Sequence, residues 1–216
     1  MKPSNSTLFA SVSPCEYADA LSRDQFMGYE IKPLWDGMGR IAGPAFTVKC
    51  APGDHLMLHA AIYRAQPGDI IVVQADDKFA VAGGNVCAIA QERGIAGFVI
   101  DGVIRDIAET RENKFPVFAR GVVPKPGAKK CIAPLNEPIV CGGVTVNAGD
   151  IIVADEEGIA VIPRAESEEA FSIAKARADK DSSMSLAQWQ KQHREKVETT
   201  LTALGYKDSA QSSSYR

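Results

Sequence analysis

Apolar residues in this chain are grouped into short β-branched runs that Gly, Pro and Asp separate. Two of these runs repeat one another: residues 66–73 read QPGDIIVV and residues 147–154 read NAGDIIVA. In each, a Gly-Asp turn leads into four apolar residues, a pattern typical of a strand that enters a buried sheet. We therefore interpret the two segments as similar strand entries in one sheet system rather than as a binding motif.

Helical and strand patterns alternate over the first half of the chain. The residues Ser-Pro-Cys-Glu at 13–16 form a helix start, with Ser as the cap and Glu three positions later. Asp54 is placed to cap a second helix. The patterns predict helices over residues 13–23, 55–65, 85–93 and 106–112, the last being a helix or a turn, and strands over residues 45–50 and 97–101.

Strand patterns dominate residues 116–163, whereas residues 166–180 and 186–204 are charged and helical. So much β-structure, irregularly mixed with helix, favours a layered α/β fold with more than one sheet over a regular doubly wound sheet. A polar pair of C-terminal helices often packs on a neighbouring subunit. The expected organisation is a catalytic domain over 1–164, a helical extension over 165–205 and a disordered tail over 206–216.

The composition is that of an ordinary globular protein, and it argues against several classes of function. The chain has 216 residues, of which 45% are hydrophobic and 24% charged, and its formal net charge is −3. It therefore lacks the basic surface that nucleic-acid binding requires. No apolar run approaches the ~20 residues of a membrane span, and the N-terminus lacks the pattern of a secretory signal. The five cysteines lie far apart without a Cys-x-x-Cys pair, which indicates mostly buried thiols in a reducing cytoplasm.

The first candidate for chemistry is Arg105-Asp106, three residues after the apolar run 96–100 ends in an Asp-Gly pair. Loops at strand ends carry the reactive groups of open α/β structures. Arginine offers a planar cation for an oxyanion, and aspartate offers a hard oxygen ligand for a divalent metal. The alternative is a surface ion pair of little energetic value. Glu109 follows Asp106 at i+3, so in a helix both carboxylates would face one side and resemble a Mg²⁺ or Mn²⁺ site.

The second candidate is the step Gly83-Gly84-Asn85 at the start of a predicted helix. Free backbone N–H groups at a helix start can hold a carboxylate or a phosphate, although two glycines often serve only a tight turn. Twenty residues separate Gly84 from Arg105, which is about the length of one helix plus one strand. A helix that returns alongside the next strand would bring Gly84 back to Arg105.

The third candidate is the pair His55 and His59, four residues apart on a predicted helix. This spacing occurs in zinc sites, but Leu56 stands where the zinc-protease signature has Glu. The alternatives are a substrate contact by His59, or histidines that are simply packed or exposed. The chain has no Gly-x-Ser-x-Gly, Walker A or dinucleotide-binding motif, so it supports neither nucleophilic hydrolysis nor nucleotide binding.

Four segments of the chain resemble a known family. They are APGDHLMLHAAI at 51–62, QPGDIIVV at 66–73, the block from Gly84 to Asp106, and NAGDIIVADEEGIAVIPR at 147–164. They are similar to the 4-hydroxy-4-methyl-2-oxoglutarate / 4-carboxy-4-hydroxy-2-oxoadipate aldolases, whose superfamily includes the regulator of ribonuclease activity A. The resemblance covers residues 43–164 well and the C-terminal helices loosely. It implies a three-layer β/β/α swivelling domain assembled as a trimer or hexamer, with active sites at subunit interfaces.

The resemblance also implies a class II pyruvate aldolase that uses Mg²⁺ or Mn²⁺ and decarboxylates oxaloacetate as well. On this basis Arg105 would contact the C2 oxygen of the pyruvyl unit and Asp106 would ligate the metal. The backbone amides of Asn85 and Val86 would hold the substrate carboxylate. The Gly83-Gly84 step would lie in the same substrate-binding segment.

Other positions distinguish this chain within that family. His59 matches a family histidine, whereas His55 stands where the family has asparagine. The aldolases carry an aspartate that twenty residues separate from the arginine, and here that position is Gly84. The chain instead resembles members tied more to oxaloacetate decarboxylation, in which Glu109 would support the metal in place of the missing aspartate. An acidic residue of the neighbouring subunit completes such a site, and Asp179 is the nearest candidate.

We therefore expect a cytoplasmic, metal-dependent lyase that forms pyruvate enolate from a small 2-oxo acid. Oxaloacetate decarboxylation and retro-aldol cleavage both break the C3–C4 bond and move charge onto the keto oxygen, where Arg105 and the metal stabilise it. The aldol route also needs a base for the C4 hydroxyl, for which we expect a metal-activated water. The alternative is a non-catalytic binding protein similar to the ribonuclease regulators, against which the intact Arg105-Asp106 pair argues.

Overall fold

The computed structural model describes residues 8–207. Within this range the chain divides into two compact units, residues 8–175 and 176–207. The first unit contains the described strands, and the second contains the end of one helix and the whole of the next. The predicted tail over 206–216 lies almost entirely outside the described residues. No helix in the described range is long and apolar enough to cross a membrane.

The helices and strands follow one another along the chain with short connections. The helices are α1 (Pro14–Tyr17), α2 (Leu56–Ala61), α3 (Gly84–Glu92), α4 (Ile107–Glu112), α5 (Ser167–Ser182) and α6 (Leu186–Ala203). The strands are β1 (Lys32–Pro33), β2 (Ile41–Lys49), β3 (Ile70–Gln74), β4 (Gly97–Ile104), β5 (Val117–Val122), β6 (Ile139–Cys141), β7 (Val144–Val146), β8 (Ile151–Asp155) and β9 (Gly158–Ile162).

Seven of the strands described in residues 8–207 form one sheet, in the order β1-β5-β4-β3-β2-β8-β9. Strands β2, β3, β4 and β5 run parallel, whereas β8 and β9 form an antiparallel hairpin beside β2. Strand β2 divides its pairing, because residues 41–44 pair with β8 and residues 45–49 pair with β3. Since alternate residues of β8 and β9 share a core with the parallel strands, the sheet bends at β2 and folds over itself.

Three layers result from this bend. Helices α2 and α3 cover one face of the parallel strands, with Leu58, Cys87 and Phe98 among the buried residues of that core. The β6–β7 and β8–β9 hairpins cover the other face, where Val99, Phe118 and Ile152 are fully buried. A third core, around α1 and the start of α5, packs on the outside of β8–β9. The predicted layered α/β fold with more than one sheet is confirmed.

The two repeated Gly-Asp segments form the same turn. The backbone N–H of Gln66 donates to Oδ2 of Asp69 at 2.8 Å, and the N–H of Asn147 donates to Oδ2 of Asp150 at 2.8 Å. The glycine before each aspartate has a positive φ, +91° and +87° respectively, which favours glycine. The segments lead into β3 and β8, which flank β2 on its two sides. Their interpretation as two strand entries in one sheet system is correct.

Several predicted boundaries are wrong. Helix α1 has the predicted capping box at Ser13 but ends at Tyr17 instead of residue 23, because Ser22 begins a separate 3₁₀ turn. Strand β4 does not end at Asp101 but continues to Ile104. The Asp101 carboxylate accepts the N–H of Gly142 at 2.8 Å and pairs with an arginine of β5, so it ties strands together.

Asp54 does more than cap a helix. Helix α2 begins at Leu56, with His55 as its cap residue, and it ends at Ala61 instead of residue 65. The Asp54 side chain is buried and accepts backbone N–H groups from Leu56 at 2.9 Å, Lys130 at 2.6 Å and Cys131 at 3.2 Å. It therefore fastens the segment 124–131, which follows β5, against the start of α2. We call this segment the strap.

The cysteines are free thiols rather than disulfides. Cys50, Cys87 and Cys141 are buried, whereas Cys15 and Cys131 are exposed. Burial raises the pKa of the Cys50 thiol to about 11 and that of Cys87 to about 12, so neither forms a thiolate at neutral pH. The expectation of mostly buried thiols is confirmed.

We predict that Asp54→Ala lowers the free energy of unfolding by about 3 kcal/mol, because three backbone N–H groups lose the buried carboxylate that accepts them. Burial alone would raise the pKa of Asp54, but the three N–H donors outweigh it and the net pKa is lowered. The stabilisation is thus complete above the ordinary carboxyl pKa and is lost as the pH falls through the lowered value. Urea unfolding at pH 7 and at low pH measures both effects. Asp77→Ala, at an exposed aspartate, is the control, and an equal loss in the two variants would contradict the prediction.

Candidate functional site

A cleft opens where four separate segments of the N-terminal unit meet. These are α2, the chain leading into α3, the junction between β4 and α4, and the strap. The residues that line it are His55, His59, Ala80, Val81, Ala82, Gly83, Asn85, Val86, Arg105, Asp106 and Pro126. The cleft is small, with a cavity volume of about 60 Å³, so a ligand that occupies it is a small molecule.

Arg105 and Asp106 lie at the end of β4, on the floor of the cleft. The N–H of Arg105 donates to the carbonyl of Ala82 at 3.0 Å, which holds the strand end against the chain entering α3. Asp106 has a left-handed backbone, with φ of +55° and ψ of +42°, and is the cap residue of α4. Such a conformation is uncommon outside glycine and turns the chain sharply from the strand into the helix. Nε of Arg105 lies 3.3 Å from Oδ2 of Asp106.

The exposed fractions of the Arg105 and Asp106 side chains show how much this ion pair contributes to stability. The Arg105 side chain is 44% exposed and that of Asp106 is 38% exposed, so their mutual attraction adds little to stability. Both side chains line the cleft, where a bound ligand can compete for their charges. The structure thus places the first candidate pair where a ligand can reach it, and Glu109 is exposed one helical turn further along α4.

The uncapped start of α3 forms the opposite side of the cleft. Gly83 is its cap residue and no side chain caps it, while the N–H of Gly84 donates to Oδ2 of Asp106 at 3.3 Å. Asn85 and Val86 line the cleft, and the first N–H groups of a helix have no partner within it. Free amides and the dipole at a helix start attract anions, so the binding of a carboxylate at this position stays a prediction.

The two glycines allow the acidic side chains to approach the backbone closely. A Cβ atom on Gly83 would lie 2.5 Å from Oδ2 of Asp106, and one on Gly84 would overlap the carboxylate of Glu109. The structure therefore brings Gly84, Arg105, Asp106 and Glu109 together, as the twenty-residue spacing predicts. The Glu109 carboxylate occupies the space into which a side chain at position 84 would extend.

His55 and His59 form the third wall. Their rings stack, with centroids 4.3 Å apart and an interplanar angle of 12°. Nδ1 of His55 lies 3.4 Å from the carbonyl of Ala80, and one ring nitrogen of His59 interacts with the carbonyl of Val81. Burial lowers the pKa of both histidines, and for His59 burial, neighbouring His55 and the cation of Lys129 lower it to about 4. Both imidazoles are therefore neutral at pH 7.

The metal ligands expected at Asp106 and Glu109, and at Asp179, remain predictions. Asp106 and Glu109 supply hard carboxylate oxygens beside two glycines, which fits Mg²⁺ or Mn²⁺ held by few protein ligands and several waters. Within residues 8–207, no group of three or more His, Cys, Asp or Glu side chains is arranged to hold a metal, so His55 and His59 gain no third zinc ligand. Asp179 lies on α5, in the C-terminal unit, and its role as a ligand from a neighbouring subunit stays a prediction.

The strap is the part of the site that the sequence analysis missed. Its Pro126 lines the cleft, its Lys125 carbonyl accepts the N–H of Ala80 at 2.8 Å, and its Lys129 places a positive charge near both histidines. The motif PKPGAKK looks like an ordinary polar turn. Backbone hydrogen bonds with Gly53, His55 and Ala80, together with the attachment to Asp54, bring it to the cleft, and no local pattern signals these contacts.

Comparisons with a family model and with curated proteins indicate the same family. A family model described as RraA-like, Aldolase/RraA, matches residues 14–161. A protein of Halalkalibacterium halodurans named "Putative 4-hydroxy-4-methyl-2-oxoglutarate aldolase" is 41% identical over 177 residues, which cover 81% of this chain and 84% of that protein. A Thermus thermophilus protein named 4-hydroxy-4-methyl-2-oxoglutarate aldolase is 30% identical over 129 residues, covering 59% and 78% of the two chains.

Solved structures show the same relationship. Streptomyces coelicolor RraAS2, described as an unusual member of the RNase ES inhibitor RraA protein family, matches with a TM-score of 0.69 and 27% sequence identity. The match covers 88% of this chain and 96% of that one. The chain is thus similar both to proteins named as aldolases and to a member of a family named for ribonuclease inhibition.

We predict that substitutions at Gly84 and Glu109 are coupled. Gly84→Ala should reduce the free energy of unfolding by about 1 kcal/mol more in the native chain than in the Glu109→Ala background, because the added methyl group displaces the Glu109 side chain. A double-mutant cycle by urea unfolding measures this difference. Gly39→Ala, where a Cβ meets no atom within 4 Å, should show no coupling to Glu109. Additive effects at Gly84 would show that the two side chains do not compete for space.

We also predict that His59 stays neutral until the solution is distinctly acidic. Its lowered folded pKa of about 4 lies below the ordinary value near 6.5, so stability is lost as the pH falls from about 6.5 towards 4. NMR titration of the imidazole should show no protonation between pH 6 and 8. His59→Gln should flatten the dependence of unfolding free energy on pH in that acidic window. Titration of His59 near pH 6.5 would contradict the prediction.

Proposed function

The chain belongs to the RraA-like family, Aldolase/RraA, and on this basis we propose that it is a divalent-metal-dependent lyase that forms pyruvate enolate from a small 2-oxo acid. The observation that carries the proposal is the position of Arg105 at the end of β4, opposite the uncapped start of α3. A cation and a set of amide donors thus face one small cleft, which matches the charge pattern of a 2-oxo acid. The relatives named as aldolases support the same class of reaction.

Different residues of the cleft bind different parts of the substrate. The amides of Asn85 and Val86 bind the carboxylate, and the Arg105 guanidinium donates to the adjacent keto oxygen. When the C3–C4 bond breaks, its electron pair moves to the keto oxygen and produces an enolate. Arg105 meets more negative charge in that state than in the bound substrate, so it stabilises the transition state more than the ground state.

Asp106 and Glu109 are the residues that would hold a divalent cation. The cation, when bound, supplies Lewis-acid stabilisation of the negative charge that develops on the oxygen of the substrate. Asp106 is fixed for this task by its left-handed backbone and by the N–H of Gly84. Glu109 lies in the space that an aspartate at position 84 would need, so it replaces that carboxylate rather than adding to it.

Decarboxylation of oxaloacetate is the reaction that this arrangement favours. Loss of CO₂ and loss of a second keto acid give the same enolate, but only the aldol route must also remove a hydroxyl proton. Gly84 supplies no side chain for that task. We propose oxaloacetate decarboxylation as the main activity, with retro-aldol cleavage of 4-hydroxy-4-methyl-2-oxoglutarate or 4-carboxy-4-hydroxy-2-oxoadipate in the same cleft.

We propose that the protein acts as a homotrimer or homohexamer. Helix α6 has no buried residue, and it exposes Leu186, Trp189 and Val197, which are 80%, 43% and 38% exposed. Apolar side chains at this spacing are typical of a helix that packs on another surface. A neighbouring subunit could then supply an acidic residue, for which Asp179 is the candidate.

The test is pyruvate release from oxaloacetate in the presence of Mg²⁺, Mn²⁺ or EDTA. We predict that EDTA abolishes turnover and that Arg105→Ala lowers kcat/KM at least ~100-fold, as expected for a lost donor to a developing oxyanion. Arg111→Ala, at an exposed arginine on α4, is the matched control and should remain within about twofold of the native protein.

Two results would contradict the proposal. Full activity of Arg105→Ala on each 2-oxo acid would remove Arg105 from the reaction. Pyruvate release no faster than with free metal would favour the second candidate, a non-catalytic binding protein. That candidate is supported by the likeness to Streptomyces coelicolor RraAS2, described as belonging to the RNase ES inhibitor family.

A further inference from the structure

The polar side chains that line the cleft are few and occupy distinct places. Arg105 and Asp106 form the floor, Asn85 lies at the start of α3, and His55 and His59 form the remaining polar wall. A 2-oxo acid that binds its carboxylate at the α3 amides and its keto oxygen at Arg105 extends C4 away from both. The atoms attached to C4 then meet the histidine wall, because the other lining residues are apolar or glycine.

The histidine wall offers acceptors, not donors. Nδ1 of His55 faces the carbonyl of Ala80 at 3.4 Å and must carry the proton to make that hydrogen bond. One nitrogen of His59 likewise interacts with the carbonyl of Val81. The second nitrogen of each neutral ring therefore carries a lone pair. His55 is buried as a residue whereas His59 is half-buried, so His59 is the better placed of the two to meet a ligand in the cleft.

We propose that His59 is the base that removes the C4 hydroxyl proton in retro-aldol cleavage, with His55 stacked behind it as a positioning residue. This inference rests on the proposed function and deepens it, because it replaces the expected metal-activated water by a side chain of this chain. It gives the cleft the proton acceptor that Gly84 does not provide.

The proposed step balances in atoms and charge. The lone pair of His59 takes the hydroxyl proton, and the O–H electrons form the new carbonyl at C4 as the C3–C4 bond breaks. The electron pair of that bond moves through C3 and C2 to the keto oxygen, giving pyruvate enolate and a second keto acid. The imidazolium then returns its proton to C3, which yields pyruvate and regenerates neutral His59.

Substrate binding would change the electrostatic surroundings of His59 in a way that favours its role as a base. In the empty cleft, burial comes first among the causes that lower its pKa, and His55, Lys129 and Arg105 add to it. A dianionic substrate offsets the charge of the two cations, which moves the pKa of His59 back towards neutrality. A base whose pKa lies closer to the working pH transfers protons more effectively.

Comparison of two reactions in one protein isolates this step. Oxaloacetate has no C4 hydroxyl, so its decarboxylation needs no such base. We expect His59→Gln to lower kcat/KM for 4-hydroxy-4-methyl-2-oxoglutarate about 100-fold, and to lower kcat/KM for oxaloacetate by less than about tenfold. The retained decarboxylation shows that the variant is folded. His193→Gln, in the C-terminal unit, is the matched control and should leave both rates unchanged.

Chemical rescue provides a second measurement. Added imidazole should restore part of the aldol cleavage in His59→Ala and should not change the decarboxylation rate. Equal losses of both activities in His59→Gln, or a native protein that decarboxylates oxaloacetate without cleaving the aldol, would overturn the role of His59 alone. A native protein that releases pyruvate from neither substrate would overturn the proposed function itself.

Discussion

The cleft depends on one close approach between the backbone at Gly83-Gly84 and the carboxylates of Asp106 and Glu109. Any side chain at these two positions would collide with those carboxylates. The approach is fixed by hydrogen bonds along the strand, since the N–H of Val81 donates to Val103 and that of Arg105 to Ala82, each at 3.0 Å. As a result, the start of one helix and the cap of the next face each other across a single small space.

The groups that face each other across the cleft differ in charge. Amide donors and Arg105 attract an anion, whereas Asp106 and Glu109 would repel one without a cation between them. The His55–His59 wall is neutral because its rings are partly or fully buried beside Lys129, so it neither attracts nor repels charge at pH 7. Such an arrangement suits a dianionic acid bound together with a divalent cation.

Some parts of the fold and the site could be predicted from local sequence. The two Gly-Asp turns, the capping box at Ser13 and the helix start at Gly83-Gly84 each follow from residues within four positions of one another. The proximity of Gly84 to Arg105 could also be predicted. One helix followed by one parallel strand brings the chain back to the same edge of the sheet, and their combined length is about twenty residues. The family resemblance, now supported by a match over residues 14–161, extends this reading to the fold class.

The sequence by itself determined where strands enter the sheet, which residues carry charge at the strand end, and the absence of side chains at Gly83 and Gly84. Only the tertiary structure decided that β4 continues past Asp101, that Asp54 fastens the strap, and that His55 and His59 are neutral. Turns and caps are set by neighbours in sequence, so local patterns reveal them. Burial, and hydrogen bonds such as the one between residues 54 and 130, depend on segments that meet only when the chain has folded.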